Sequence, residues 1–194
     1  KQVMERIIMD FRNLLETTWS LSMKNMVPLL MITLMLMGMS LFSGGILAPV
    51  ALAGYTHSIL RMVRDGREPM ATDLFSQMRL FFPLLLFGVL AFFCVFIGYL
   101  LLVVPGIAVS IALLFCCTYM LPLMTDTGMG LVEALKESFA MACGGKIAEH
   151  AVVVTIYGVV TMIGGSFLLG ILVTMPLATV FLMLAYEERR GFFY

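Results

Sequence analysis

From residue 25 to 60, from 80 to 125 and from 150 to 186 the chain carries no Asp, Glu, Lys or Arg. These runs are 36, 46 and 37 residues long, and a single helix of that length, at ~1.5 Å per residue, overshoots a ~30 Å hydrocarbon core. Each run must therefore fold back on itself. Turn residues stand where the fold-back is needed: Ser43-Gly44-Gly45 in the first, Val104-Pro105-Gly106 in the second, Gly164-Gly165-Ser166 through Gly170 in the third. The pattern predicts six spans, over 26–42, 46–62, 81–103, 106–124, 150–168 and 170–187.

All charge falls in four islands, Lys1 to Lys24, Arg61 to Arg79, Asp126 to Glu149 and Glu187 to Arg190. Six spans put all four on one face. Each contains Lys or Arg and the opposite turns contain neither, so the bias of basic residues toward the cytoplasm predicts a multi-pass inner (cytoplasmic) membrane protein with both termini inside.

The islands have helical period of their own. Leu131, Val132, Leu135, Phe139 and Ala142 recur on one side of a segment with Glu133, Lys136 and Glu137 opposite, which predicts an interfacial helix from about Gly130 to Ala142 with Leu131, Leu135 and Phe139 buried. Val3, Ile7, Phe11, Leu14, Leu15 and Thr18 repeat the design at the start of the chain, with Trp19 as an interfacial anchor. Ala71, Leu74, Phe75 and Met78 make a shorter version. The expected fold is thus all-α: a six-span transmembrane bundle of three helical hairpins, each preceded by a cytoplasmic amphipathic helix, in units 1–63, 64–125 and 126–194. A proline near the start of each return span, Pro49, Pro105 and Pro176, marks an expected helix break.

Composition agrees. Hydrophobic residues make up 61% of the chain and charged ones 12%, about half the usual share of a soluble domain, with no polar stretch long enough for a separate domain. Twelve basic residues balance twelve acidic ones with no basic block, which argues against nucleic acid as a partner. The first apolar run begins near Met26, too late and too long for a signal peptide. Cys94, Cys116, Cys117 and Cys143 show no metal-ligand spacing and read as small packing residues. Small residues at i, i+4, i+8 suggest close helix contacts at Ala51-Gly54-Ser58, Ala108-Ala112-Cys116 and Gly170-Thr174-Ala178.

Three stretches resemble uncharacterised polytopic integral membrane families of bacteria and archaea, of the domain-of-unknown-function type, related to the membrane domain of glycerophosphodiester phosphodiesterases. They are GILAPVALAG from Gly45 to Gly54 with Tyr55 and Arg61, GYLLLVVPG from Gly98 to Gly106, and EALKES from Glu133 to Ser138. The last span, with Pro176 and Tyr186, is similar as well. The resemblance implies a fold and no established activity, so it assigns no residue a role. Glu133-Ala134-Leu135 also resembles the cytoplasmic loop by which importer permeases meet their ATPases, although Phe139 stands where that motif has glycine.

Candidate chemistry is sparse. The central spans hold no ionisable group of the kind ion-coupled transporters carry at depth. His57 and His150, expected near the cytoplasmic ends of two spans, could be read as a pair of haem ligands, but no haem motif surrounds either and interfacial contacts are preferred. Met31, Met35 and Met39 line one helical face, as a copper(I) ladder or, more simply, as packing and lipid contact. No nucleophile joins Glu149-His150, so no enzyme, cofactor or metal is expected. The first functional expectation is a non-enzymatic subunit or assembly scaffold of a larger membrane complex. Glu133, Lys136 and Glu137 would then be candidate docking residues for other membrane or cytoplasmic-face proteins, with the lipid bilayer as the constant partner. The alternatives are a permease-like transporter of an uncharged or lipidic solute, with the three proline breaks as its gate, and a membrane-shaping hairpin protein.

Overall fold

The computed structural model describes residues 11–144, 147–166 and 168–193, and every regular element among them is helical. Val3 and Ile7, expected on the first amphipathic helix, lie outside the described residues. The remainder of that helix, α1 (Phe11–Lys24), buries Leu14, Thr18 and Ser22 and leaves Trp19 exposed. Its contacts are mainly with the last helix of the chain. At Asn25 the chain bends by 83° into α2 (Met26–Phe42), which buries Leu29, Ile32, Thr33 and Leu36 along one face. Gly44 and Gly45, both at positive φ, turn it into α3 (Ala48–Asp65).

Helix α3 is the centre of the molecule. Ten of its 18 residues are buried, from Val50 to Met62, and it stops at Gly66 in the left-handed conformation. The chain then runs back along α3 as two short 3-10 turns, Ala71–Phe75 and Met78–Leu80, where an amphipathic α-helix was expected. Asp73 is the reason: its carboxylate accepts hydrogen bonds from Arg67 at 2.6 Å, Ser58 Oγ at 2.7 Å and the Met70 backbone N–H at 3.2 Å, which tightens the segment against α3. Gly54 permits the approach, since a Cβ there would stand 2.4 Å from the Leu74 carbonyl oxygen. Gly54 and Ser58 of the Ala51-Gly54-Ser58 stripe therefore receive a turn, not a helix.

Helices α4 (Phe81–Leu101) and α5 (Val103–Cys117) form a hairpin whose turn is the extended residue Leu102. This falls before the expected Val104-Pro105-Gly106, which lies in the first turn of α5. The two helices cross where a Cβ on Gly98 would reach the Gly106 Cα at 3.0 Å, so glycine sets that contact while Ala108 and Ala112 face outward. After a break at Thr118 and Tyr119 the chain resumes as α6 (Met120–Asp126), then α7 (Leu131–Cys143). Helices α8 (Ile147–Gly165) and α9 (Leu168–Phe193) close the structure as a hairpin, with Gly164 against Thr174.

Four segments among the described residues are long and apolar enough to cross a membrane: Ala71–Leu101, Val103–Asp126, Ile147–Gly165 and Gly170–Gly191. The bent pair α1 and α2 also reaches that standard when taken together. Among its described residues the chain is accordingly all-helical, with several helices long and apolar enough to cross a membrane.

Candidate functional site

The break in the Val103–Asp126 segment frees backbone groups, and two neighbouring helices satisfy them. Ser138 of α7 donates its hydroxyl to the Cys116 carbonyl at 2.6 Å and accepts from the Tyr119 N–H at 3.2 Å. His150 of α8 places Nε2 2.8 Å from the Phe115 carbonyl oxygen, with its ring packed edge-on against Phe115 at 4.4 Å. The bond requires the proton on Nε2, because a carbonyl can only accept. Non-helical backbone held away from water persists only with such internal partners. His150, fully buried, is a backbone cap.

Ser138 also explains how α7 sits. Its buried residues are Ala134, Ser138, Met141 and Ala142. The expected buried face of Leu131, Leu135 and Phe139 is thus rotated by about 60°, three residues at ~100° each. Leu131 and Leu135 are half-buried at its edge, whereas Phe139 is 53% exposed. The small side chains let α7 come close enough for Ser138 to reach the break. Glu133 and Lys136 are exposed as expected and Glu137 is half-buried.

Beside the break lies a half-open cavity of about 500 Å³. Pro49, Leu52 and Thr56 of α3 form one wall, with Tyr157 of α8 and Thr179 and Leu182 of α9. Leu84, Phe87, Gly88 and Ala91 of α4 and Leu113 and Leu114 of α5 form the wall opposite, and Met120, Leu121 and Pro122 of α6 complete it. No lining side chain is ionisable apart from the Tyr157 phenol and the Cys117 thiol. The volume is that of pockets holding drug-sized ligands, ~300–1,000 Å³.

Of the three expected proline breaks, Pro49 lines this cavity from the first turn of α3, where its missing N–H costs little. Pro105 occupies the equivalent turn of α5. Pro176 lies inside α9, which continues through it, so it neither breaks the helix nor begins it. The break instead precedes Pro122, a residue sequence reasoning absorbed into an unbroken span. The proline in Met120-Leu121-Pro122-Leu123-Met124 was its signal. Met31 and Met35 are exposed on α2 and point away from the bundle. His57 is half-buried on α3, on the side that receives Asp73, and no group of three or more His, Cys, Asp or Glu suited to a metal exists among the described residues.

A second polar centre was invisible in the sequence. Asp126, at the end of α6, accepts from Arg64 of α3 at 2.8 Å, from the Tyr186 hydroxyl at 3.1 Å and from Arg190, while Arg64 also pairs with Glu187. Three charged islands meet there. Nearby, Arg189 is buried, donates to the Met141 carbonyl at 2.5 Å and lies 6.0 Å from the Tyr119 ring centre.

No family model matches the chain, and neither a curated protein nor a solved structure does.

Proposed function

We propose that this chain is a permease-like membrane protein that takes an uncharged or lipidic solute into the cavity between the α4–α5 hairpin and the rest of the bundle. The observation that carries the reading is the cavity itself: about 500 Å³, walled almost wholly by apolar side chains, beside a discontinuous helix. Broken helices commonly border substrate sites in transporters, because they bring polar backbone to membrane depth. A wall without formal charge suits a neutral solute, since an ion there would lack a counter-charge.

In this reading α2, α3, α4, α5 with α6, α8 and α9 make the six crossings, with both termini and the Asp126 cluster on the cytoplasmic side of the inner membrane. Cysteines placed at Ser43 and Ser166 should react with an impermeant maleimide added outside intact cells. If neither reacts until the membrane is permeabilised, the hairpins do not cross fully and a membrane-shaping role takes precedence.

Purified protein in vesicles should accelerate exchange or passage of neutral lipids or apolar solutes over protein-free vesicles, and Leu52→Trp, which fills the cavity, should abolish the gain. No acceleration across several solute classes would sink the permease reading.

A second reading, a subunit of a larger membrane complex, draws support from the outer face of α7. There Val132 and Phe139 are exposed beside Glu133 and Lys136. Cross-linking of the native complex in mild detergent tests it, and a protein that purifies without any reproducible neighbour would end it.

A further inference from the structure

Resting on the reading of the cavity as a binding site, we infer that its ligand is a neutral lipid chain bearing an ester carbonyl, taken sideways from the bilayer past the α4–α5 hairpin.

Two hydroxyls in the wall are available to such a group. The threonines of these helices usually donate to their own helix: Thr33 to the Leu29 carbonyl, Thr161 to Tyr157, Thr174 to Gly170 and Thr179 to Met175. Thr56 does not, although it lies in mid-helix and is nearly buried, and the Tyr157 hydroxyl likewise makes no hydrogen bond with a described residue. Both line the cavity from the core side. A hydroxyl in an apolar wall calls for a partner, and an ester carbonyl accepts from either donor without bringing a charge. A carboxylate or phosphate would need a cation, and the wall holds no Lys, Arg or His.

The route follows from how the walls are held. Leu84 and Gly98 are the buried residues of α4, and Gly106 is the buried residue of α5, so the hairpin presents Phe92, Phe96, Ile107 and Ile111 to lipid. Along the cavity its contacts across to the core are light: a Cβ on Gly88 would find only Pro49, at 3.9 Å, and one on Gly158 only Leu114, at 3.6 Å. The hydrogen bonds from Ser138 and His150 hold only the end of α5, at Cys116 and Phe115. Its two helices are locked to each other at Gly98 and Gly106, and its ends are the 3-10 turn at Met78–Leu80 and the break at Thr118 and Tyr119. Such an arm can tilt as a unit. Toward the charged side the path is closed by Leu123 and Met124, which are packed into the core.

The test uses the full chain in phosphatidylcholine nanodiscs with three photoreactive probes of equal chain length: a fatty acid methyl ester, the free carboxylate and a plain hydrocarbon, each with a terminal diazirine. Peptide mass spectrometry then maps labelling inside the cavity, at Leu52 and Phe87, against the lipid-facing Phe92 and Phe96. The ester should label the cavity several-fold more than either other probe. Tyr157→Phe and Thr56→Val should each lower ester labelling by about 2- to 10-fold, the worth of one net hydrogen bond, while hydrocarbon labelling is unchanged. Thr161→Val, on the same helix as Tyr157 but outside the cavity, should leave the ester signal within about twofold. Equal labelling by all three probes, preference for the carboxylate, or indifference to both variants overturns the ester assignment and leaves the binding site standing. Failure of every probe to label Leu52 and Phe87 while Phe92 and Phe96 are labelled overturns both.

Discussion

Arg64 and Asp126 lie 62 positions apart and meet through two hydrogen bonds, Nη1 to Oδ1 at 2.8 Å and Nη2 to Oδ2 at 3.1 Å. With Arg190 on Oδ2 of the same carboxylate, the pair ties the end of α3 to the ends of α6 and α9. The Asp126 side chain is only 8% exposed, so its charge depends on these partners.

Asp126→Asn keeps the shape and removes the charge. Because the Arg64 and Arg190 side chains are each about a third exposed, the loss should fall below that of a fully buried pair, at roughly 1–3 kcal/mol. Thermal unfolding in detergent should show Tm lower by several degrees, with Arg64→Gln giving a smaller drop. A Tm within a degree of the parent would mean that the cluster is not holding the three helices together.

The capping of the α5–α6 break predicts that Ser138→Ala, by leaving the Cys116 carbonyl and the Tyr119 N–H unpaired, costs about 2–4 kcal/mol. His150→Leu should act in the same direction through the Phe115 carbonyl. His150→Gln, which retains a donor, should recover part of that loss. Hydrogen exchange at Met120 and Leu121 should quicken in the two damaging variants, and unchanged exchange in both would remove the capping role.

Glycine spacing gives a graded series. Gly54→Ala brings a Cβ within 2.4 Å of backbone oxygen and Gly164→Ala brings one against Thr174, so both should destabilise by about 1–3 kcal/mol or more. Gly38→Ala meets nothing within 4 Å and should be neutral or slightly stabilising, by up to ~1 kcal/mol. Detergent melting curves would check the order. Equal effects at all three positions would mean that the close approaches are not maintained.

For α7, charge reversal at Glu133 and Lys136 should change stability by no more than about 0.5 kcal/mol, as expected for exposed positions. Ala134→Leu should cost about 1–3 kcal/mol by overpacking a residue with no exposure. If Ala134→Leu is harmless while Phe139→Ser unfolds the protein, the helix sits in the orientation first expected from its apolar side chains.

What the sequence determined by itself is which segments are apolar enough to cross a membrane and where the polar stretches fall between them. Whether a segment prefers lipid or water is nearly additive over its residues, so the charge-free runs marked the apolar helices, Ser43-Gly44-Gly45 and Gly164-Gly165-Ser166 marked two of the turns, and the islands marked the polar ends. Rotation about each helix axis is another matter. In lipid a helix can be apolar on every side, and small residues and shared hydrogen bonds, not hydrophobicity, select the contact face. That is why Ala134 and Ser138 displaced Phe139 from the buried face of α7, and why Gly54 received a 3-10 turn. Only the tertiary structure could bring Asp126 to Arg64, set Ser138 and His150 over the broken backbone, and leave a cavity lined by α3, α4, α5, α6, α8 and α9. Each depends on groups from different hairpins meeting in space, and no one-dimensional pattern carries that information.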